Sequence, residues 1–265
     1  MRWFVLLFFS AWALAYDTQP TPETARVVSV YDGDTFTLDN GDKVRLRWVN
    51  TPEKRPKEPF ADEATRFTRD FVEGQEVRLI PAARPRDAYG RLVAGVANDK
   101  GNLSVALVRA GLAHVFIIPP DDTDASPLIE AQAEARQARR GIWSTSIGDS
   151  PIHMTSFHAN ASGDDERNIN GEYMRLCNTT TESFDMSGWK LRNERGETFV
   201  IPDVTIPAGH TIRVHSGTGL DALDPRRQLT VHLRSERPIW SNDYDVAALL
   251  APNGREVVRR VHGKR

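Results

Sequence analysis

Cysteine is nearly absent from this chain: Cys177 is the only one in 265 residues. A single thiol excludes an intramolecular disulfide, so core packing must hold the fold. Cys177 closes the strand-like run Tyr173-Met174-Arg175-Leu176-Cys177 and reads as a buried, inert thiol. An excess of one charge is also missing, since the formal net charge is only -2. That excludes a bulk polycationic face; any nucleic acid must be met at a local site. Beyond the N-terminus no apolar run is long enough to cross a bilayer. No Cys/His spacing suits zinc, no nucleophile elbow surrounds a serine, and no internal repeat or low-complexity tract is present.

What is present is globular in character, with 40% hydrophobic and 26% charged residues, and long enough for two domains. Arg2 is followed by the apolar run Trp3 to Leu14 and by Ala13-Leu14-Ala15. A charged start, a short apolar run and a small-x-small ending describe a secretory signal peptide over residues 1–15. Cleavage near Ala15 and a secreted, envelope or periplasmic location are therefore expected. A membrane anchor or a buried N-terminal helix is the other reading of that run.

Ser144 to Pro151 has linker composition and follows the helical stretch Leu128 to Arg140, so a domain boundary is placed there. Before it, strand signals at Arg26–Tyr31, Thr35–Leu38, Lys43–Val49, Gln75–Ile80 and Leu92–Ala97 alternate with helices at Ala61–Val72 and Leu103–Ala110. His114–Ile118 reads as one more short strand. Short strands with interleaved helices suit a small closed barrel of the oligonucleotide-binding type. After the boundary, turn signals such as Ser187-Gly188 and Pro252-Asn253-Gly254 separate about seven short strands, which predicts an all-β sandwich.

The chemistry gathers between Asp32 and Arg91. Asp32-Gly33-Asp34-Thr35 is a turn, Val44 to Val49 a strand carrying Arg45 and Arg47, Asn50-Thr51-Pro52-Glu53 a carboxylate-bearing turn, and Asp87-Ala88-Tyr89-Gly90-Arg91 a glycine turn presenting an arginine. Each is weak alone. Together they supply what phosphodiester hydrolysis needs: oxygen ligands for a hard cation, a carboxylate for the attacking water, and arginines for the charge that grows on phosphate. Asp34 and the Asn50-Thr51 turn suit the cation, Glu53 the water, and Arg45 and Arg91 the phosphate. Asp32 is read as a structural carboxylate as readily as a ligand, Arg47 as a surface residue, and Trp143 as a packing anchor. Lys54, Arg55 and Lys57 belong to a loop that either meets a nucleic-acid backbone or is merely solvated.

The order Asp-Gly-Asp-Thr, Arg-Leu-x-x-Val-x-Thr-Pro-Glu, Asp-x-Tyr-Gly-Arg, Ala-Leu-Val-Arg-x-Gly-Leu-Ala and Gly-Ile-Trp-Ser resembles the thermonuclease, or staphylococcal-nuclease, family over residues 24–146. The resemblance implies a five-stranded oligonucleotide-binding barrel with three helices. It implies one calcium ion held by Asp34, Asn50 and the carbonyl of Thr51, with Glu53 as general base and Arg45 and Arg91 on the scissile phosphate. Tyr89 is retained for substrate binding, and the implied reaction cleaves DNA and RNA to 3'-phosphates. Asn50 departs from the pattern, which has aspartate there, and predicts weak calcium binding or a changed metal preference. Ala88, Ile117 and Pro119 depart from it too, standing where lysine or tyrosines hold the nucleotide.

Residues 151–262 carry Gly171-Glu172-Tyr173, Asp185-Met186-Ser187-Gly188-Trp189 and Ile239-Trp240-Ser241-Asn242. That succession resembles the lamin-tail domain, an immunoglobulin-like sandwich, with Trp189 and Trp240 expected in its core. The resemblance implies a fold and leaves a surface, nucleic-acid or protein contact open. Asp164-Asp165-Glu166 reads as a polar loop, and Arg259, Arg260, Lys264 and Arg265 as a solvated basic tail. The expectation is thus an exported nuclease; the alternative is a non-catalytic nucleic-acid-binding protein on the same fold.

Overall fold

The computed structural model describes residues 23–120 and 125–264. The expected signal peptide lies outside the described residues. The first body opens with strands β1 (Thr24–Val30), β2 (Thr35–Leu38), β3 (Lys43–Leu46) and β4 (Val49–Asn50), followed by helix α1 (Ala61–Val72). Then come β5 (Glu76–Arg86), β6 (Leu92–Asn98), β7 (Gly101–Asn102), α2 (Leu103–Arg109), β8 (His114–Val115) and α3 (Ser126–Gln137). The strand order β3-β2-β1-β5-β6 is closed by a parallel β3–β6 pairing, giving a five-stranded barrel with three helices. Inside it Val27, Phe36, Leu38, Val44, Leu46, Leu92 and Val96 are buried, the inward half of each strand's two-residue alternation.

Local chemistry explains the helices. In α1, Ala61, Ala64, Thr65, Thr68, Phe71 and Val72 are buried at helical spacing, while Asp62 and Glu63 favour the first turn and Arg69 the last. Asn102 caps α2, its side chain accepting a hydrogen bond from the Val105 amide at 3.2 Å. Trp143 is fully buried beside Ala135 and Ile142, as its anchoring role requires.

The expected single strand Lys43–Val49 is broken. Trp48 adopts φ 67° and splits it into β3 and β4, so Arg47 does not share an outer face with Arg45. Arg47 is buried, 3.6 Å from the Trp48 ring centroid, which corrects its reading as a surface residue. The expected linker is not slack either: residues Ser146–Asp149 form a 3-10 turn that runs straight into the next strand.

The second body contains β9 (Ile152–His158), β10 (Tyr173–Asn178), β11 (Phe184–Asp185), β12 (Lys190–Arg192), β13 (Thr198–Val200) and β14 (Thr205–Ile206). It continues with β15 (Thr211–His215), β16 (Leu229–His232), β17 (Tyr244–Leu250) and β18 (Glu256–Gly263). Two four-stranded sheets, β16-β15-β10-β9 and β13-β12-β17-β18, share a core that holds Trp189 and Trp240. Cys177 is fully buried, and burial pushes its thiol well above the usual range, as an inert thiol should be. Arg259 and Arg260 are not a solvated tail. They belong to β18, where Arg259 pairs with Glu256 at 2.8 Å and Arg260 reaches Glu58 of the barrel at 3.0 Å.

The two bodies are joined by backbone and side chain. The Ile117 amide donates to the Gly209 carbonyl at 2.8 Å, and the Thr211 amide to the Ile117 carbonyl at 3.1 Å. Gln132 accepts from the Val115 amide at 2.7 Å and donates to the Thr179 carbonyl at 3.0 Å. A Cβ on Gly209 would stand 2.6 Å from Val115, so only glycine permits this approach. Among the described residues no helix is long and apolar enough to cross a membrane.

Candidate active site

The site begins with the turn between β1 and β2. The amides of Tyr31 and Asp32 both donate to the Thr35 carbonyl, at 2.9 and 3.2 Å, and the Asp34 amide donates to Asp32 Oδ1 at 3.1 Å. Gly33 lies against the next element: a Cβ there would fall 2.7 Å from the Thr51 side chain. From α1 the Thr68 hydroxyl donates to the Gly33 carbonyl at 2.6 Å, fixing the turn from behind.

This turn buries the Asp34 carboxylate and surrounds it with donors. Oδ2 accepts from the Thr51 amide at 2.9 Å and the Thr51 hydroxyl at 3.0 Å. Oδ1 accepts from the Thr35 hydroxyl at 3.1 Å and lies 3.3 Å from Arg45 Nε. Arg45 is itself locked. Its Nη1 donates to the carbonyls of Leu46 and Val49 at 2.6 and 2.8 Å, and its Nη2 to Asn50 Oδ1 at 3.0 Å. The left-handed Trp48 turns the chain between those two carbonyls, so the break in the strand brings both within reach of Arg45.

Asp32 is more than a turn residue. Burial pushes its carboxyl up to about 6, the Asp34 charge adds to the rise, and the Asp34 amide and Arg45 oppose it. Glu53 stands exposed at the mouth of the cleft, yet the protein around it partly desolvates its carboxyl and raises it. The charges of Asp34, Glu58 and Asp32 add to that rise, against Arg45. The turn therefore gathers more negative charge than its one nearby arginine balances. A cation would relieve that repulsion. Among the described residues no three His, Cys, Asp or Glu side chains form a metal cluster. The oxygens in place are Asp34, Asp32, the Asn50 amide and the Thr51 carbonyl, a hard set that fits calcium better than a soft metal.

The second arginine comes from the turn between β5 and β6. Asp87 Oδ1 accepts from the amides of Tyr89 and Arg91, at 2.9 and 3.0 Å, and its Oδ2 accepts from Arg91 Nε at 2.8 Å. Gly90, at φ 77°, lets this turn close. Arg91 thus enters the same cleft as Arg45, with its Nη1 3.5 Å from the Thr35 hydroxyl. Tyr89 stands 82% exposed at the rim, 5.5 Å from the Arg91 guanidinium. Asp87 was not singled out in the sequence; a carboxylate four residues before an arginine in a glycine turn was the available signal.

Asp34, Arg45, Asn50, Thr51, Glu53, Tyr89 and Arg91 all line one cleft of about 790 Å³. Lys54 of the neighbouring loop turns back onto its own protein, donating to the Tyr31 carbonyl at 2.8 Å. Ile117 is fully buried, and its backbone is taken up by the second body. The far wall of the cleft comes from that second body: Thr155, Ser156, Tyr173, Arg175, Arg213 and Gln228. Sequence reasoning missed this wall. The signal was the outward alternation of Tyr173 and Arg175 on β10 and of Thr211, Arg213 and His215 on β15.

Comparison with known proteins agrees with this geometry. Residues 43–145 match the model of the staphylococcal nuclease homologue family, and residues 146–264 match that of the Lamin Tail Domain. The chain is 35% identical over 128 residues to a thermonuclease of Staphylococcus intermedius, covering 46% of this chain and 76% of that protein. It is 33% identical over 129 residues to the thermonuclease of Staphylococcus hyicus, with 46% and 76% covered. It is 35% identical over 143 residues to an uncharacterized endonuclease of Escherichia coli O157:H7, with 53% and 86% covered.

Proposed function

The chain belongs to the staphylococcal nuclease family, with a lamin-tail domain following, and from that premise we propose that this nuclease is an exported, metal-dependent hydrolase of DNA and RNA. The observation that carries the reading is the convergence of Glu53, Arg45 and Arg91 on one cleft beside the crowded carboxylates of Asp32 and Asp34. A protein that only binds nucleic acid has no need of a water-directing carboxylate between two arginines.

Asp34, Asn50 and the Thr51 carbonyl would hold calcium, which when bound neutralises the phosphate. The chain's own residues do the rest. Glu53 takes the proton of a water positioned at the cleft mouth. Arg45 and Arg91 both reach the phosphate in this cleft and stabilise the charge that grows on its oxygens. The water oxygen bonds to phosphorus, the bond to the 5' oxygen breaks, and that oxygen leaves as a hydroxyl with a proton from solvent, to which Glu53 returns the one that it took. The products are a 3'-phosphate and a 5'-hydroxyl. Asp87 holds Arg91 in place through its Nε. Asn50 supplies an oxygen without a charge, so calcium affinity is low.

Export rests on the N-terminal pattern of Arg2, Trp3–Leu14 and Ala13-Leu14-Ala15. The test uses the mature chain with single-stranded DNA and RNA, in calcium, in other divalent ions and in chelator. Cleavage is expected only with a divalent ion, and Glu53→Ala should abolish most of it. Equal degradation by wild type and Glu53→Ala under every condition would end the catalytic reading.

A further inference from the structure

The outward face of the sheet β16-β15-β10-β9 is built unlike an ordinary solvated face. Its register places Tyr173 opposite His158 on one side and His215 on the other, with His215 opposite His232. The rings follow one another across all four strands. His158 stacks on Tyr173 with centroids 4.8 Å apart, Tyr173 lies 5.6 Å from His215, and His215 stacks on His232 at 5.3 Å. Two residues along the strands, toward the barrel, a second row holds Ser156, Arg175, Arg213 and Thr230.

This second row carries two guanidiniums that meet hydroxyl, amide and aromatic groups and, among the described residues, no carboxylate. Arg175 is tied to the Thr211 hydroxyl at 3.0 Å and to Gln228. Burial and the neighbouring Arg213 charge together hold it down, to about 10. Arg213 lies 4.7 Å from the Tyr173 ring centroid, and its Nε is buried with no hydrogen-bond partner. Leaving a buried guanidinium donor unpaired is costly. A bound anion would satisfy it. Both arginines, Tyr173, Ser156 and Gln228 line the same cleft as Asp34, Glu53 and Arg91. The cation row therefore forms the far side of the cleft, and the ring row leads away from it through Tyr173.

We propose that this sheet of the lamin-tail domain is a second part of the substrate site, a platform on which a single-stranded polynucleotide continues after it leaves the catalytic cleft. Arg213, with the buried Arg175 behind it, meets its phosphate, and the exposed His158, backed by the Tyr173 ring, stacks on its bases. One charge row beside one ring row matches a strand whose phosphates run along one side and whose bases project to the other. His232 marks the far end of the row, where its ring is held by Asp221 at 3.1 Å and Asp221 is held in turn by Arg234 at 2.6 Å. The inference rests on the nuclease reading for its substrate class and extends it to a domain whose partner was open.

The test separates the two readings. Binding of a fluorescent single-stranded 20-mer, as DNA and as RNA, is measured on the full chain in chelator, where no cleavage is expected. Cleavage of a short nitrophenyl ester of a mononucleotide, which reaches only the catalytic cleft, is measured in calcium. Arg213→Ala and His158→Ala should each weaken 20-mer binding about tenfold, and His158→Ala, which lies outside the cleft lining, should leave cleavage of the short ester unchanged. Arg213→Ala should also lower the salt dependence of binding by about 0.7 in log–log slope, and Arg213→Lys should restore that slope. Wild-type protein carrying a 20-mer with photoreactive uracils should crosslink to β10 or β15, a readout that needs no variant. Unchanged binding of both 20-mers by folded variants, or crosslinks confined to the barrel, overturns the platform. Failure of the wild type to cleave either substrate overturns the nuclease reading instead, and the binding data still judge the platform.

Discussion

The barrel and the sandwich both enclose carboxylates, but they treat them in opposite ways. In the sandwich, Glu172 is fully buried and accepts from the Ile239 and Trp240 amides at 2.9 and 3.3 Å. Asp245, also buried, accepts from the amides of Glu194, Ser241 and Val246 at 2.7 to 2.8 Å. Backbone donors meet each charge, and the carboxylate serves as a clasp between loops. Burial raises the Glu172 carboxyl as well, against those amides, but in the barrel Asp32 and Glu53 are raised by burial and also by the charge of Asp34 beside them, with Arg45 as the main opposing charge. One arrangement is complete without a ligand; the other is complete only with one. Burial of an acid therefore does not identify a site, whereas burial of acids against each other does.

That contrast can be broken by exchanging the roles of the two glutamates. Glu53→Gln should cut the cleavage rate by about 1,000-fold, within the range for loss of a general base, and leave the melting temperature unchanged or higher. Glu172→Ala should do the reverse. It strands two buried amides and is expected to cost about 2–4 kcal/mol in a denaturant titration, with cleavage by the still-folded protein near wild type. A large stability loss in the first or a large rate loss in the second would erase the distinction.

A smaller effect sharpens the charge argument. Asn50→Asp restores a carboxylate to the turn and should tighten calcium about tenfold by calorimetry. Unchanged affinity would remove Asn50 from the ligand set. The smallest effect lies at the seam between the bodies, where the rings of His114 and His153 are 5.1 Å apart. His114 Nε2 and His153 Nδ1 are buried without partners, and burial holds His153 well below the ordinary histidine value of 6.5. As pH falls below 6.5 the unfolded chain takes up a proton that the folded one refuses, so this histidine withdraws stability by up to about 1.4 kcal/mol per pH unit. Asp32 acts in the other sense, since its raised carboxyl binds a proton in the folded state first. The difference between wild type and His153→Phe isolates the histidine, and identical slopes from pH 6.5 to 5 would refute it.

Much of the catalytic cleft was legible because its parts are local turns. Asp32-Gly33-Asp34 and Asp87 to Arg91 each close through hydrogen bonds within a few residues, while the Asn50-Thr51 turn is held by Asp34, 17 residues earlier. The helix Ala61–Val72 was legible to the residue because its buried stripe is strictly periodic. Arg47 was misread because alternation assumes an unbroken strand, and the left-handed Trp48 interrupts this one. Arg259 and Arg260 were misread because their partners, Glu256 and Glu58, include one just over two hundred residues away in sequence.

The sequence by itself determined the two folds, the turn chemistry and the residue types of a phosphodiesterase cleft, since periodicity and short-range hydrogen bonding decide those. Only the tertiary structure decided which charges are left uncompensated, and that the second domain's Tyr173, Arg175 and Arg213 complete the wall of the first domain's cleft. The reason is physical. Desolvation and Coulomb interaction depend on distance through space, and the seam at Ile117, Gly209 and Thr211 brings the two bodies together at that scale.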